Sequence, residues 1–101
     1  MTPEAKVKLN VRKILDELGI YYFLPASNGY GRAGIPDIIF CAVCLFGSIE
    51  CKAGRGKLSA LQERELAAIE KAGGFTFVAR ETNLPELKEA LICWIHSHSK
   101  N

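Results

Sequence analysis

The stretch GIPDIIFCAVCLFGSIECKA, Gly34 to Ala53, decides how the rest of the chain is read. Two extended runs are predicted in it, Asp37 to about Val43 and about Gly47 to Ala53. The short link between them ends at Gly47 and Ser48, both common turn residues, so the runs should pair as an antiparallel hairpin. The first run is apolar on both faces, which predicts a central, covered strand. Side chains alternate along a strand, so Glu50 and Lys52 share one face while Ile49, Cys51 and Ala53 share the other, the core face. Asp37 sits at the head of the first run and, in a hairpin, comes near the Glu50 face. Asp37, Glu50 and Lys52 thus interrupt what is otherwise buried sheet. Ionisable groups in such a place are costly unless paired or bound to a metal.

Outward from the hairpin, the chain alternates helix and strand signals. Thr2 can cap a helix with Pro3 in its first turn. Val7, Val11, Ile14 and Leu18 then give it an apolar face, and Gly19 ends it. Glu4 lies on that face one turn before Val7. Its carboxylate is either a first-turn residue favoured by the helix dipole or a group delivered to the buried cluster. Ile20 to Leu24 reads as a short strand closed by Pro25. The loop Ala26 to Gly34 contains Gly29, Gly31 and Gly34 in a G-x-G-x-x-G pattern, but Pro36 and a strand follow where a dinucleotide fingerprint needs a helix. Tyr30 and Arg32 in this loop either lie against a sugar–phosphate backbone or belong to a plain connector.

After the hairpin, Gly54-Arg55-Gly56-Lys57 is a basic loop without a Walker A pattern. Ser59 and Gln62 form a capping box opening a helix whose face runs Gln62, Leu66, Ile69, Gly73. Phe75 to Ala79 reads as a strand. Asn83 with Glu86 signals a last helix whose face carries Leu84, Leu87, Leu91, Trp94 and Ile95.

The totals limit the alternatives. A chain of 101 residues with 49% hydrophobic content makes one domain, residues 1–101, with a single core. The net charge of +2 is too small to mark a nucleic-acid binder by itself, though Lys6, Lys8, Arg12 and Lys13 cluster, as do Lys52, Arg55 and Lys57. The N-terminus has no apolar h-region, and the longest apolar run, Ile38 to Phe46, is too short to span a bilayer, so an intracellular, cytoplasmic protein is expected. Cys41-x-x-Cys44 with His96-x-His98 is only a partial zinc pattern. The four cysteines, Cys41, Cys44, Cys51 and Cys93, are read instead as reduced thiols buried in a core.

Two adjacent carboxylates repel unless a cation lies between them. Mg²⁺ takes oxygen ligands, keeps several waters and suits one or two carboxylates plus a substrate phosphate. Lys52 beside such a phosphate would hold a water or neutralise developing charge. These parts suffice to hydrolyse a phosphodiester. The residues alone equally allow a structural Asp–Lys–Glu ion-pair group.

Gly34-Ile35-Pro36-Asp37, then Glu50-Cys51-Lys52, then Ser59 and Gln62 resemble the PD-(D/E)XK nuclease pattern in its VRR-NUC form, over roughly Pro3 to Arg80. The resemblance implies an α/β fold with a restriction-endonuclease-like core, a mixed central sheet flanked by helices. It implies an Mg²⁺- or Mn²⁺-dependent endonuclease acting on DNA. Asp37 and Glu50 become metal ligands, with the Cys51 backbone carbonyl as a candidate beside them, and Glu4 resembles the family's helix-borne glutamate, a further ligand. Lys52 becomes the catalytic lysine and Gln62 the additional motif residue. Tyr30, Arg32, Arg55 and Lys57 are expected to meet the DNA. Stand-alone members are similar to small phage-type enzymes that dimerise and cut branched DNA, four-way junctions included. That implies a homodimer, and a phage-encoded protein acting in a bacterial host is compatible with it. A less selective nuclease and a DNA-binding module without catalysis are the competing readings.

Overall fold

A computed structural model describes residues 1–26 and 31–99. The elements run α1 (Pro3–Glu17), β1 (Tyr21–Phe23), β2 (Ile38–Ala42), β3 (Leu45–Cys51), α2 (Ala60–Lys71), β4 (Phe75–Ala79) and α3 (Leu84–His98). The strands form one mixed sheet in the order β1-β2-β3-β4. β1, β2 and β3 are successively antiparallel, and β4 returns parallel to β3 after α2. This is an α/β fold with a four-stranded mixed sheet flanked by helices. Among the described residues, no helix is long and apolar enough to cross a membrane.

The core lies on one face of the sheet. Val7, Val11 and Leu15 of α1 and Leu87 and Leu91 of α3 pack with Ile38, Phe40, Ala42, Ile49, Cys51 and Ala79. α1 starts as its sequence predicts: the Thr2 hydroxyl accepts the Ala5 N–H at 3.1 Å, which satisfies one of the open donors of the first turn. Trp94 of α3 meets Phe75 edge-on at the rim of this core. The opposite face carries Ser48 and Glu50, and α2 covers it there.

The hairpin turn differs from its sequence reading. It is the two-residue Val43–Cys44, both with positive φ (47° and 68°). Gly47 and Ser48 lie inside β3. Two positive φ values are what a primed turn needs, because its twist matches that of the strands it joins. Neither Val nor Cys advertises that conformation. Gly47 serves packing instead: it pairs with Phe40, and a Cβ there would fall 2.1 Å from the Phe40 ring. The aromatic ring of β2 therefore takes the space that a side chain on β3 would fill.

Three further expectations are corrected. β2 is covered on one face only, since Cys41 points outward and is exposed. Of the four cysteines only Cys51 is buried, while Cys41, Cys44 and Cys93 are exposed. Asn83 makes no side-chain cap on α3. Its amide instead closes the end of β4, with Oδ1 accepting the Arg80 N–H at 2.7 Å and Nδ2 donating to the Val78 carbonyl at 2.9 Å.

Candidate active site

The site forms where the head of β2, the end of β3 and the first turn of α2 converge. Gly34 makes the convergence possible. It has φ +77°, and a Cβ on it would lie 2.6 Å from both the carbonyl carbon and oxygen of Leu61 and 2.9 Å from the Gln62 nitrogen. The loop thus runs directly against the α2 backbone, a closeness open only to glycine. Pro36 is buried behind it, and Asp37 follows.

Asp37 and Glu50 bind to each other's strands. The Cys51 N–H donates to Asp37 Oδ2 at 2.8 Å, and the Asp37 N–H donates to Glu50 Oε1 at 3.2 Å. These reciprocal bonds extend the β2–β3 ladder past its last backbone pair, Ile38 with Ile49. A strand residue directs its N–H and C=O to the same edge. The Cys51 carbonyl therefore faces the Asp37 side.

Gln62 performs two tasks at once. Its Oε1 accepts the Ser59 N–H at 2.9 Å while the Ser59 hydroxyl accepts the Gln62 N–H at 3.1 Å, completing the capping box. Its Nε2 donates to Glu50 Oε2 at 3.0 Å. Lys52 Nζ stands 3.8 Å from the same oxygen, on the face that strand alternation assigns to it.

Glu50 is only 2% exposed. Burial, and next the Asp37 charge, push its carboxyl up to about 7, while Lys52 opposes that rise. The Cys51 thiol on the other face is pushed up to about 12, chiefly by burial and then by Asp37, so it is an inert packing group. An unfolded glutamate titrates near 4.5. The folded state therefore binds the Glu50 proton more tightly than the unfolded one. This group's stabilisation is full below about 4.5 and is lost as pH rises through about 7. The melting temperature should fall between pH 5 and pH 8, and Glu50→Gln should flatten that slope. An equal slope in both proteins would remove Glu50 as its source.

The donors fit a hard divalent cation: two carboxylates close enough that, after burial, the charge of Asp37 raises the proton affinity of Glu50, beside a backbone carbonyl. Among the described residues no group of three or more His, Cys, Asp and Glu side chains gathers into a metal-holding arrangement. An ion here would rest on Asp37 and Glu50, with water and substrate oxygens completing its shell, as Mg²⁺ and Mn²⁺ tolerate. The partial zinc pattern of Cys41, Cys44, His96 and His98 gains nothing from the fold.

The remaining expected residues lie around this centre. Glu4 is exposed on α1, and its charge is felt at Cys51. Lys8, one turn further along the same helix, reaches Asp37 Oδ1 at 3.6 Å. Sequence reasoning places Lys8 only in a basic cluster, although its i+4 spacing from Glu4 is an available signal. Arg32 is exposed and donates to Glu65 of α2. Arg55 and Lys57 are exposed on the loop after β3. That loop is fastened to the β4–α3 connection: the Gly54 N–H donates to Glu81 at 2.8 Å and Arg80 donates to the Gly54 carbonyl at 3.0 Å. Tyr30 lies outside the described residues.

No family model, curated protein or solved structure compared with this chain matches it.

Proposed function

We propose that the protein is a metal-dependent DNA endonuclease of the VRR-NUC type, built on a PD-(D/E)XK core and acting on branched or four-way-junction DNA. The observation that carries the reading is the convergence on Glu50. A fully buried carboxylate meets a second carboxylate, a lysine and a helix-borne amide, with the second carboxylate raising its proton affinity. Each acid has its own lysine, Lys8 at Asp37 and Lys52 at Glu50, yet the two carboxylates still stand close enough for Asp37 to raise the proton affinity of Glu50. The element order, helix, strand, hairpin, helix, strand, is also the one that the resemblance implies.

A bound Mg²⁺ or Mn²⁺ would supply Lewis-acid polarisation of the phosphate and a more acidic water. Asp37, Glu50 and the Cys51 carbonyl would hold it, while Glu4 is exposed on α1 and, among the described residues, is not gathered with the two carboxylates. The chain's own residues do the rest. Gln62 fixes the Glu50 carboxylate so that its free lone pairs face the site. Lys52 neutralises charge developing on the scissile phosphate or orients the attacking water. Arg55 and Lys57 stand on the adjoining loop, where they would position the DNA backbone without reading its sequence.

The proposed partner is a second copy. A small domain covers little of a branched substrate, and a two-fold pair presents two active sites symmetrically. The outer sheet face offers Tyr21 at 70% and Phe46 at 50% exposure, in one row with Cys41, and no charge in that row. An identical apolar row on a second copy would cover it. Light scattering should give twice the 11.1 kDa chain mass, and a monomer at working concentration would remove paired cutting.

The substrate is tested by comparing cleavage of four-way, flapped and linear duplex DNA of matched sequence in Mg²⁺. Preferential cutting of the junction is expected. Equal rates on all three would replace the branched substrate with a less selective nuclease, and binding without cutting would leave a DNA-binding module.

A further inference from the structure

The ammonium group of Lys8 lies 3.6 Å from Asp37 Oδ1, with side-chain exposures of 32% and 22%. Asp37 Oδ2 is occupied by the Cys51 N–H. Both Glu50 oxygens also receive protein donors, the Asp37 N–H and the Gln62 amide. Oδ1 is thus the oxygen that faces outward, and a cation of the chain already stands at it. Lys8 and Lys52 together balance the charges of Asp37 and Glu50. A divalent ion added alone would leave the cluster with two excess positive charges, and a phosphodiester arriving with it would halve that excess.

We propose that Lys8 is the resident counter-cation of Asp37, which competes with a divalent ion for Oδ1 and turns to a substrate phosphate when the ion binds. The inference rests on the metal-site reading given above and adds a regulation to it: metal and DNA bind cooperatively, because each takes one side of the Lys8–Asp37 pair. Linkage then requires DNA to raise metal affinity by the same factor that metal raises DNA affinity. Lys8 suits the part. It is half-exposed on a long flexible stem, so its head can leave Asp37 without moving α1. The pair is weak enough to exchange, as partly exposed pairs are. Lys8 is a positioning residue for charge and not a ligand.

The test measures Mn²⁺ binding, with no turnover involved, by the electron paramagnetic resonance signal of free Mn²⁺. Wild type, Lys8→Met, Lys8→Gln and Asp37→Asn are titrated alone and with a four-way junction whose linkages are phosphorothioates. Circular dichroism confirms that each variant is helical; methionine is a good helix former at an outward position. Without DNA, Lys8→Met and Lys8→Gln should bind Mn²⁺ about tenfold more tightly than wild type, the effect of removing one adjacent positive charge. DNA should tighten Mn²⁺ binding in wild type and do so much less in the Lys8 variants. If wild type binds Mn²⁺, Asp37→Asn does not, and both Lys8 variants match wild type, the role of Lys8 is overturned while the metal site stands. If neither wild type nor the Lys8 variants bind Mn²⁺, both readings fall.

Discussion

Lys52→Ala should bind four-way-junction DNA nearly as well as wild type and cut it at least about a thousandfold more slowly, the scale of losing a preorganised charge at a reacting phosphate. The cause begins at the strand. Alternation puts Lys52 beside Glu50, and its ammonium stands 3.8 Å from Glu50 Oε2. Removal has two consequences. The phosphate loses a cation held in a partly buried place, where charge is weakly screened. Glu50 also loses the charge that opposes the rise of its carboxyl, so its proton is held more tightly still. The residual activity should therefore need a higher pH than that of wild type. Lys52→Arg keeps the charge with a different shape and should recover part of the rate. Retained cutting by Lys52→Ala in single-turnover assays would take Lys52 out of the mechanism.

Gly34→Ala should lose about 2–4 kcal/mol of stability and, where folded, about a hundredfold in cutting rate. The residue sits in the left-handed region at φ +77°, which costs an alanine on its own account. The steric cost is larger. The new methyl would meet the Leu61 carbonyl and the Gln62 nitrogen, backbone atoms of a helix that cannot swing aside as a side-chain tip does. The loop must then lift from α2, and with it Asp37, three residues on. Glu50 stays bound to Gln62, so the two carboxylates separate. Urea denaturation measures the first effect and single-turnover cleavage the second. Wild-type stability together with a wild-type rate would mean that Gly34 does not set the distance between β2 and α2.

Much of this arrangement is legible in the sequence, and particular residues show why. β4 runs Phe75 to Ala79 as its β-rich composition and the preceding Gly73-Gly74 indicate. The Ser59–Gln62 capping box is local chemistry with one geometry, so it can be read directly. Glu50 and Lys52 come together because the alternation carries on one residue past the end of β3, where the Lys52 N–H still bonds the Ala79 carbonyl. What cannot be read depends on partners distant in sequence. Gly47 looks like a turn residue until Phe40 is seen across the ladder. Val43 and Cys44 carry none of the usual marks of a primed turn. Cys41 is as apolar as its neighbours, yet the helices cover only one side of β2, and no pattern within the strand says which. Lys8 reaches Asp37 only through the rotation of α1 against the sheet, set by Val7, Val11 and Leu15. Asn83 is of the type that caps helices, whereas its partners lie back along β4.

The central claim is that Asp37 and Glu50 together hold a divalent ion at a DNA phosphate. The direct measurement is single-turnover cleavage of an end-labelled four-way junction by wild type and Asp37→Asn, in Mg²⁺ and in excess EDTA, with binding followed in parallel by gel shift. Cutting by wild type in Mg²⁺ only is expected, with junction binding but no cutting by Asp37→Asn. Cutting that persists in EDTA, or that Asp37→Asn performs at the wild-type rate, would contradict the claim.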